Sequence, residues 1–360
     1  MPLTVKTDAS YDAVALGEIM LRLDPGAGRI RTARQFDVWE GGGEYNAIRA
    51  LSHVFGQRTA ALSALVDNDI GHLIESLARA GGVDTSLIKW VPYDGLGRDA
   101  RNGLNFTERG FGIRGARGVS DRGNTAVSQL SPDDVDFEDL FGVRGVRWFH
   151  TGGIFAGLSE NSCATAIAAM TSARKYGTVV SVDLNYRPSL WADHGGQQRA
   201  AAVFTQLTEA ADVVIGGETD FVDRLGIEAP SESLVGAARF TSFATRALAR
   251  FPNLGMVATT TRRVSSASRN DWHGMCHTSA TGTVASREWV DLEILDRVGG
   301  GDGFASGLIY GLLQGLSAQE AIDIGAAHGA LAMTTPGDNS MATLAEVLSA
   351  AQGQRTSTHR

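Results

Sequence analysis

Lysine is almost missing from this 360-residue chain: Lys6, Lys89 and Lys175 are the only three. None of them follows a glycine, so the Gly-Lys-Ser/Thr of a Walker A phosphate loop cannot be assembled. Positive charge comes instead from arginine, whose planar fork suits carboxylate and phosphate oxygens. Cysteine is scarce as well. Two residues, Cys163 and Cys276, cannot build a disulfide framework. No apolar run reaches bilayer length, and the start MPLTVKTDASYDAV lacks the apolar core of a signal peptide. The formal net charge is −8, which argues against general binding to nucleic acid or to an anionic membrane surface. These absences point to a cytoplasmic protein with small-molecule partners. What is present is a full-sized core, with 43% hydrophobic and 20% charged residues.

Strand-like and helix-like patterns alternate along the chain. Strands are predicted at 12–23, 58–66, 145–151, 178–184, 212–215 and 255–259, with two or three more after Arg262. Helices are predicted at 44–55, 69–80, 159–176 with Ser159 as N-cap, between 184 and 212, at 234–250, and near 303–315, 317–333 and 342–352. That rhythm means βαβ units: an α/β fold with a doubly wound, mostly parallel sheet and helices on both faces. One domain is expected over 1–360. Two segments, about 24–40 and 95–129, break the rhythm with Gly, Arg and polar residues. They read as short strands of a small β-sheet lid. An exposed lid edge would allow pairing into a homo-oligomer, a dimer or higher. The tail, 353–360, is expected to be mobile.

Two motifs are set aside. Gly110-Phe-Gly112-Ile-Arg-Gly115 matches the dinucleotide pattern but lacks a following helix. His273, Cys276 and His277 read as surface polar residues on a strand, since 276 points away from the other two.

The stretch EILDRVGGGDGFASGLIYGLLQG carries more weight. Gly299, Gly300 and Gly301 follow a strand end, and a helix begins near Asp302. Side-chain-free amides at a helix N-terminus make an anion site. Asp302 beside it reads as a general base for phosphoryl transfer, with an N-cap as the plain structural alternative. Gly307, Gly311 and Gly315 form a smooth stripe, assigned to packing against small residues such as Ala326 and Ala330. Asp183-Leu-Asn185-Tyr-Arg187 lies where a strand ends, the usual ligand side of an open α/β sheet. Arg187 can fork onto a carboxylate or phosphate, or brace a loop through Asp183. Gly41-Gly42-Gly43-Glu44-Tyr45-Asn46 opens a helix, and Arg122 lies in the lid segment.

Together these residues resemble the ribokinase-like (PfkB) carbohydrate kinases. DRVGGGDGF at 296–304 is similar to that family's signature D-T-x-G-A-G-D-x-F, and GGGEYN at 41–46 to its N-terminal glycine motif. DLNYRPSLW at 183–191, SDRGNTA at 120–126 and the opening VALGEIMLRL look like the members acting on 2-keto-3-deoxygluconate. The resemblance implies Asp302 as base and the Gly299–Asp302 amides, with Gly300 and Gly301, as anion hole. It implies Gly41, Gly42 and Asn46 on the sugar, and Arg122 and Arg187 on an acidic sugar's carboxylate or keto end. Asn185 would face the nucleotide phosphates. The donor would be ATP with Mg2+, and a monovalent cation stays open. The family's Asn-x-x-Glu stretch reads Gly217-Glu218-Thr219-Asp220 here, leaving Glu218 and Asp220 as metal candidates. Thr259 and Arg262 are candidates for nucleotide contact. The expected activity is ATP-dependent phosphorylation of a terminal hydroxyl on a small sugar acid. The alternatives are a kinase for a neutral sugar and a sugar- or nucleotide-binding regulator without turnover.

Overall fold

Fourteen strands follow one another along the chain of this computed structural model, which describes residues 3–354. They are β1 Tyr11–Leu16, β2 Met20–Asp24, β3 Asp37–Gly41, β4 Thr59–Val66, β5 Ile88–Val91, β6 Leu104–Glu108 and β7 Arg117–Asp121. Then come β8 Val146–Gly152, β9 Val179–Asp183, β10 Val213–Ile215, β11 Met256–Ser266, β12 Arg269–Thr278, β13 Gly282–Ala285 and β14 Trp289–Glu293. Ten form the central sheet, in the order β13-β12-β11-β10-β9-β8-β1-β4-β5, with β14 also on β12. From β11 to β5 every pairing is parallel, and β12–β14 add an antiparallel edge. Helices cover both faces, so inner strands are apolar on both sides. All eight residues of β4, TAALSALV, are buried.

The remaining four strands build a second sheet, β3-β2-β6-β7. Its make-up departs from the sequence reading at one end. Residues 12–23 are not one strand: Gly17–Ile19 separates β1, in the central sheet, from β2, in the lid. A β-carbon at Gly17 would lie 2.6 Å from Glu44, so that side chain packs directly on the connecting turn and only glycine fits there. The outer lid strand β7 is exposed at all five residues. Gly110–Gly115 is a tight turn between β6 and β7, closed by reciprocal Phe111 and Arg114 backbone bonds, with no helix behind it.

Helix ends follow chemistry visible in the sequence. Ser159, Ser317 and Thr343 each cap a helix through a side-chain oxygen. The helix after the triple glycine starts earlier than predicted, at Gly300, so its cap is Gly299 and not Asp302. Its glycine stripe works in part as expected. A β-carbon at Gly307 would sit 2.8 Å from Gly325, and one at Gly311 would sit 2.6 Å from Ala321. The partners are therefore Gly325 and Ala321 instead of Ala326 and Ala330. Gly315 lies beyond the helix with φ +70 and packs on nothing. Strand β11 overruns its predicted end because β12 pairs with it as far as Ser266.

Cys276 and His277 do lie on a strand, but both are buried and not on the surface. His277 bonds Thr283, and Cys276 faces the helix layer near Ala318. Both cysteines are free. Among the described residues no helix is long and apolar enough to cross a membrane. The tail beyond Gln354 lies outside the described residues.

Candidate active site

Beyond the carboxyl ends of β8, β9 and β10 opens a cavity of about 700 Å3. The lid supplies Met20, Asn105, Ser120 and Arg122 to its wall. The first glycine turn supplies Gly42, Gly43 and Asn46, and the second Gly299, Gly301 and Asp302. Asp183, Asn185, Tyr186 and Arg187 come from the end of β9, and Asp220, Arg224, Arg262, Arg297 and Asp338 from further along the chain.

The three glycines before Asp302 are needed for three different reasons. Gly299 has φ +82, and a β-carbon there would lie 2.1 Å from the Asp338 carbonyl oxygen. Gly300 is packed behind the turn, where a β-carbon would press on Met333. Gly301 opens on the cavity, and a β-carbon there would meet nothing within 4 Å. The first helical amides consequently border the cavity with no side chain at Gly299 or Gly301 to cover them.

Asp302 is the third residue of that helix and lies beside the cavity. Its Oδ2 accepts a hydrogen bond from Asn46 Nδ2 at 2.7 Å, and Asn46 Oδ1 in turn accepts the Gly42 amide. Its Oδ1 has no hydrogen-bond partner among the described residues. A β-carbon at Gly43 would lie 3.8 Å from Oδ1 and 3.7 Å from Asn185 Nδ2. One carboxylate oxygen is thus anchored across the cavity while the other borders open space. Burial pushes the Asp302 pKa up to about 7, against the Asn46 hydrogen bond; Asp338 and Glu44 add to the rise and Arg187 opposes it. A helix N-terminus alone would favour the ionised form; desolvation outweighs it. Asp183 behaves alike, raised to about 8 by burial and by Asp302 and Asp220.

The other predicted residues divide. Asn185, at φ +34, turns the chain out of β9 so that Arg187 also lines the cavity. Arg187 is exposed and bonds only its neighbour's carbonyl, not Asp183. Arg122 is held by the buried Glu18. Gly42 must be glycine because a β-carbon would collide with the Glu18 carbonyl at 1.9 Å. Gly41 sits behind it, against Asp338 Oδ2, and does not line the cavity. Asp220 lines it and accepts the Gly217 amide at 2.9 Å. Glu218 is turned away and forked onto Arg239 by bonds of 2.7 and 2.6 Å. Glu218 and Thr259 line an adjoining hollow of about 280 Å3, shared with the main cavity at Gly217, Thr260 and Arg262. Its other walls include Gly236, Phe240, Phe243 and Met275. Among the described residues no three acidic, His or Cys side chains gather as a metal cage.

Sequence reasoning missed Arg224, Arg297, Asp338 and Glu18. Arg297 lay inside the quoted DRVGGGD motif, but nothing local says which way it points. Asp338 joins Asp24 and Asp296 on the fully buried Arg22, and this cluster ties lid strand β2 to the loop before Gly299.

Known proteins resemble this chain in sequence and fold. The chain is similar to the crystal structure of 2-dehydro-3-deoxygluconokinase from Thermotoga maritima, at 32% identity and a TM-score of 0.86, covering 95% of this chain and 99% of that one. It is 29% identical to the 2-dehydro-3-deoxygalactonokinase of Haloferax volcanii, over 93% of this chain and 95% of that protein. It is 26% identical to the 2-dehydro-3-deoxygluconokinase of Thermoproteus tenax, over 92% and 91%. The profile described as pfkB family carbohydrate kinase matches residues 10–246 and 280–344, most of the chain, and the chain belongs to that family.

Proposed function

We propose that this protein is a phosphotransferase that moves the terminal phosphoryl group of ATP to a terminal hydroxyl of a small sugar acid such as 2-keto-3-deoxygluconate. The observation that carries the reading is Asp302: one oxygen anchored by Asn46, the other open beside the amides of Gly299–Asp302. The sugar lies between the lid and the Gly42–Asn46 turn, with its carboxylate end on Arg122 and Arg187. Asp302 Oδ1 accepts the hydroxyl proton as the sugar oxygen bonds to the γ-phosphorus. The bond from that phosphorus to the β-phosphate oxygen breaks, and ADP leaves. In a loose transition state the proton departs late, so alignment of Oδ1 matters more than basicity.

The base of the nucleotide would lie in the adjoining hollow, whose lining includes Phe240, Phe243 and Thr259. Its phosphates run past Asn185 and Arg262 toward the glycine turn. Magnesium would be held by the phosphates with Asp220 and Asp183, which line the cavity without an arginine partner; Mg2+ needs only one or two carboxylates beside phosphate oxygens. It would supply charge neutralisation. Glu218, taken by Arg239, is the poorer ligand.

A coupled ADP-release assay with Mg-ATP and a panel of sugars tests the function. Turnover on 2-keto-3-deoxy sugar acids supports it. Turnover on neutral sugars alone overturns the substrate class, and an active Asp302→Ala enzyme overturns the mechanism.

A further inference from the structure

Four cavity arginines, Arg187, Arg224, Arg262 and Arg297, have no acidic side chain within ion-pair distance among the described residues. A sugar acid brings one negative charge. Arg187, with Arg122, is enough for it. The other three have no task in the reading above beyond Arg262's general contact with phosphate.

Two of them are unusual. Nη1 of Arg224 and Nη2 of Arg297 are cut off from solvent and meet no acceptor. A charged donor left in this state is costly, which marks both side chains as held in place and not as satisfied within the fold, while both residues line the cavity. Arg224 is also held rigidly: its guanidinium lies 3.9 Å over the Tyr186 ring. Arg297 follows Asp296, which Arg22 pins, and precedes the anion turn by two residues. Its charge reaches Arg262, whose pKa is lowered first by desolvation and then by Arg297. Two neighbouring guanidinium groups with no acid between them repel, and a polyanion set against them in the cavity offsets that repulsion.

We propose that Arg297, backed by Arg262, grips the transferring phosphoryl group of the donor, and that Arg224 is preorganised on Tyr186 to meet the same phosphate chain. The inference rests on the reading that donor phosphates lie at the Gly299–Asp302 turn. The arginines stay protonated throughout. They stabilise charge on the non-bridging phosphoryl oxygens while the proton moves only from the sugar hydroxyl to Asp302.

Calorimetric titration of ATP, ADP and AMP into the unaltered chain, Arg297→Met and Arg297→Lys tests this, alongside kcat and KM for both substrates and a thermal melt. Arg297→Met is expected to bind ATP about 10- to 100-fold more weakly, with AMP affinity and sugar-acid KM unchanged, and to lose about 10²-fold in kcat. Arg297→Lys is expected to regain part of the ATP affinity through its charge, but little kcat, because the fork is gone. Arg224→Met is expected to show the same ATP-over-AMP loss, to a smaller degree. Unchanged ATP affinity in Arg297→Met, equal weakening of AMP and ATP, or a rise in sugar-acid KM instead would each overturn the proposal. If Arg297→Met does not fold, Arg297→Lys decides: behaviour like the unaltered chain overturns it. Absence of ATP turnover in the unaltered chain is a separate result, and it would remove the function itself.

Discussion

Arginine is used in two opposite ways on the two sides of the second glycine turn. Arg22 is fully buried and carries three carboxylates, Asp24, Asp296 and Asp338. Arg187, Arg224, Arg262 and Arg297 line the cavity and carry none. The same side chain is a structural tie in one place and a vacant receptor in the other. A guanidinium paired with three acids has no capacity left for a ligand, while one that makes no ion pair, even with acids nearby as Asp220 is to Arg187 and Arg224, keeps donors for an anion. Arg122 stands between the two classes, since it lines the cavity yet rests on Glu18.

Breaking the tie should have the largest effect. Arg22→Met leaves three buried carboxylates without their cation. It is expected to cost about 3–5 kcal/mol in stability, measured by denaturant unfolding. A loss under about 1 kcal/mol would erase the distinction between the two arginine classes.

Next comes the acid between the two groups. Asp302→Asn keeps an acceptor for Asn46 but cannot take a proton, and kcat is expected to fall ~10²–10⁴-fold. Stability should move the other way. Asp302 has a folded pKa near 7, above its unfolded value, so its ionisation costs stability progressively between the ordinary carboxylate range and pH 7, and the cost is then constant above it. At pH 8 the asparagine variant should therefore melt at the same temperature as the parent or higher. A clear drop would contradict the burial argument.

The cavity arginines sharpen the contrast. Arg187→Ala and Arg122→Ala should each raise KM for the sugar acid about 10- to 100-fold. Arg122→Ala should also lower stability, because Glu18 is left buried, whereas Arg187→Ala should stay within about 0.5 kcal/mol of the parent. Equal stability losses in both would show that Arg187 has a partner after all.

The last contrast is a pH profile. Only ionised Asp302 can accept the proton, so kcat/KM should decline as pH falls through about 7. Asp183 titrates beside it, and the midpoint belongs to the pair. A flat profile down to pH 5 would mean that the carboxylate is not the base in the rate-limiting step.

Local patterning made much of this protein readable. Period and caps marked the long helices, since Ser159 or Ser317 before an amphipathic run acts within a few residues. The glycines and Asp302 were readable because backbone amides and an acid lie together in seven residues. Residues 12–23 were misread as one strand because both pieces carry a strand pattern, and which sheet each joins depends on distant partners, β4 and β8 for β1 but β3 and β6 for β2. Gly315 was misassigned because a left-handed C-terminal residue and a packing glycine look alike in sequence.

By itself, the sequence determined the α/β alternation, the anion turn, the acid beside it and the near absence of lysine, all properties of neighbouring residues. Only the tertiary structure decided that Asn46 anchors Asp302 across 256 positions, that Asp338 demands glycine at 41 and 299, and that Arg297 faces the cavity while Arg22 is sealed among acids. The reason is physical. A carboxylate's basicity and an arginine's availability depend on which distant groups exclude water from them, and that choice is made when the lid, the sheet ends and the last loops close on one another.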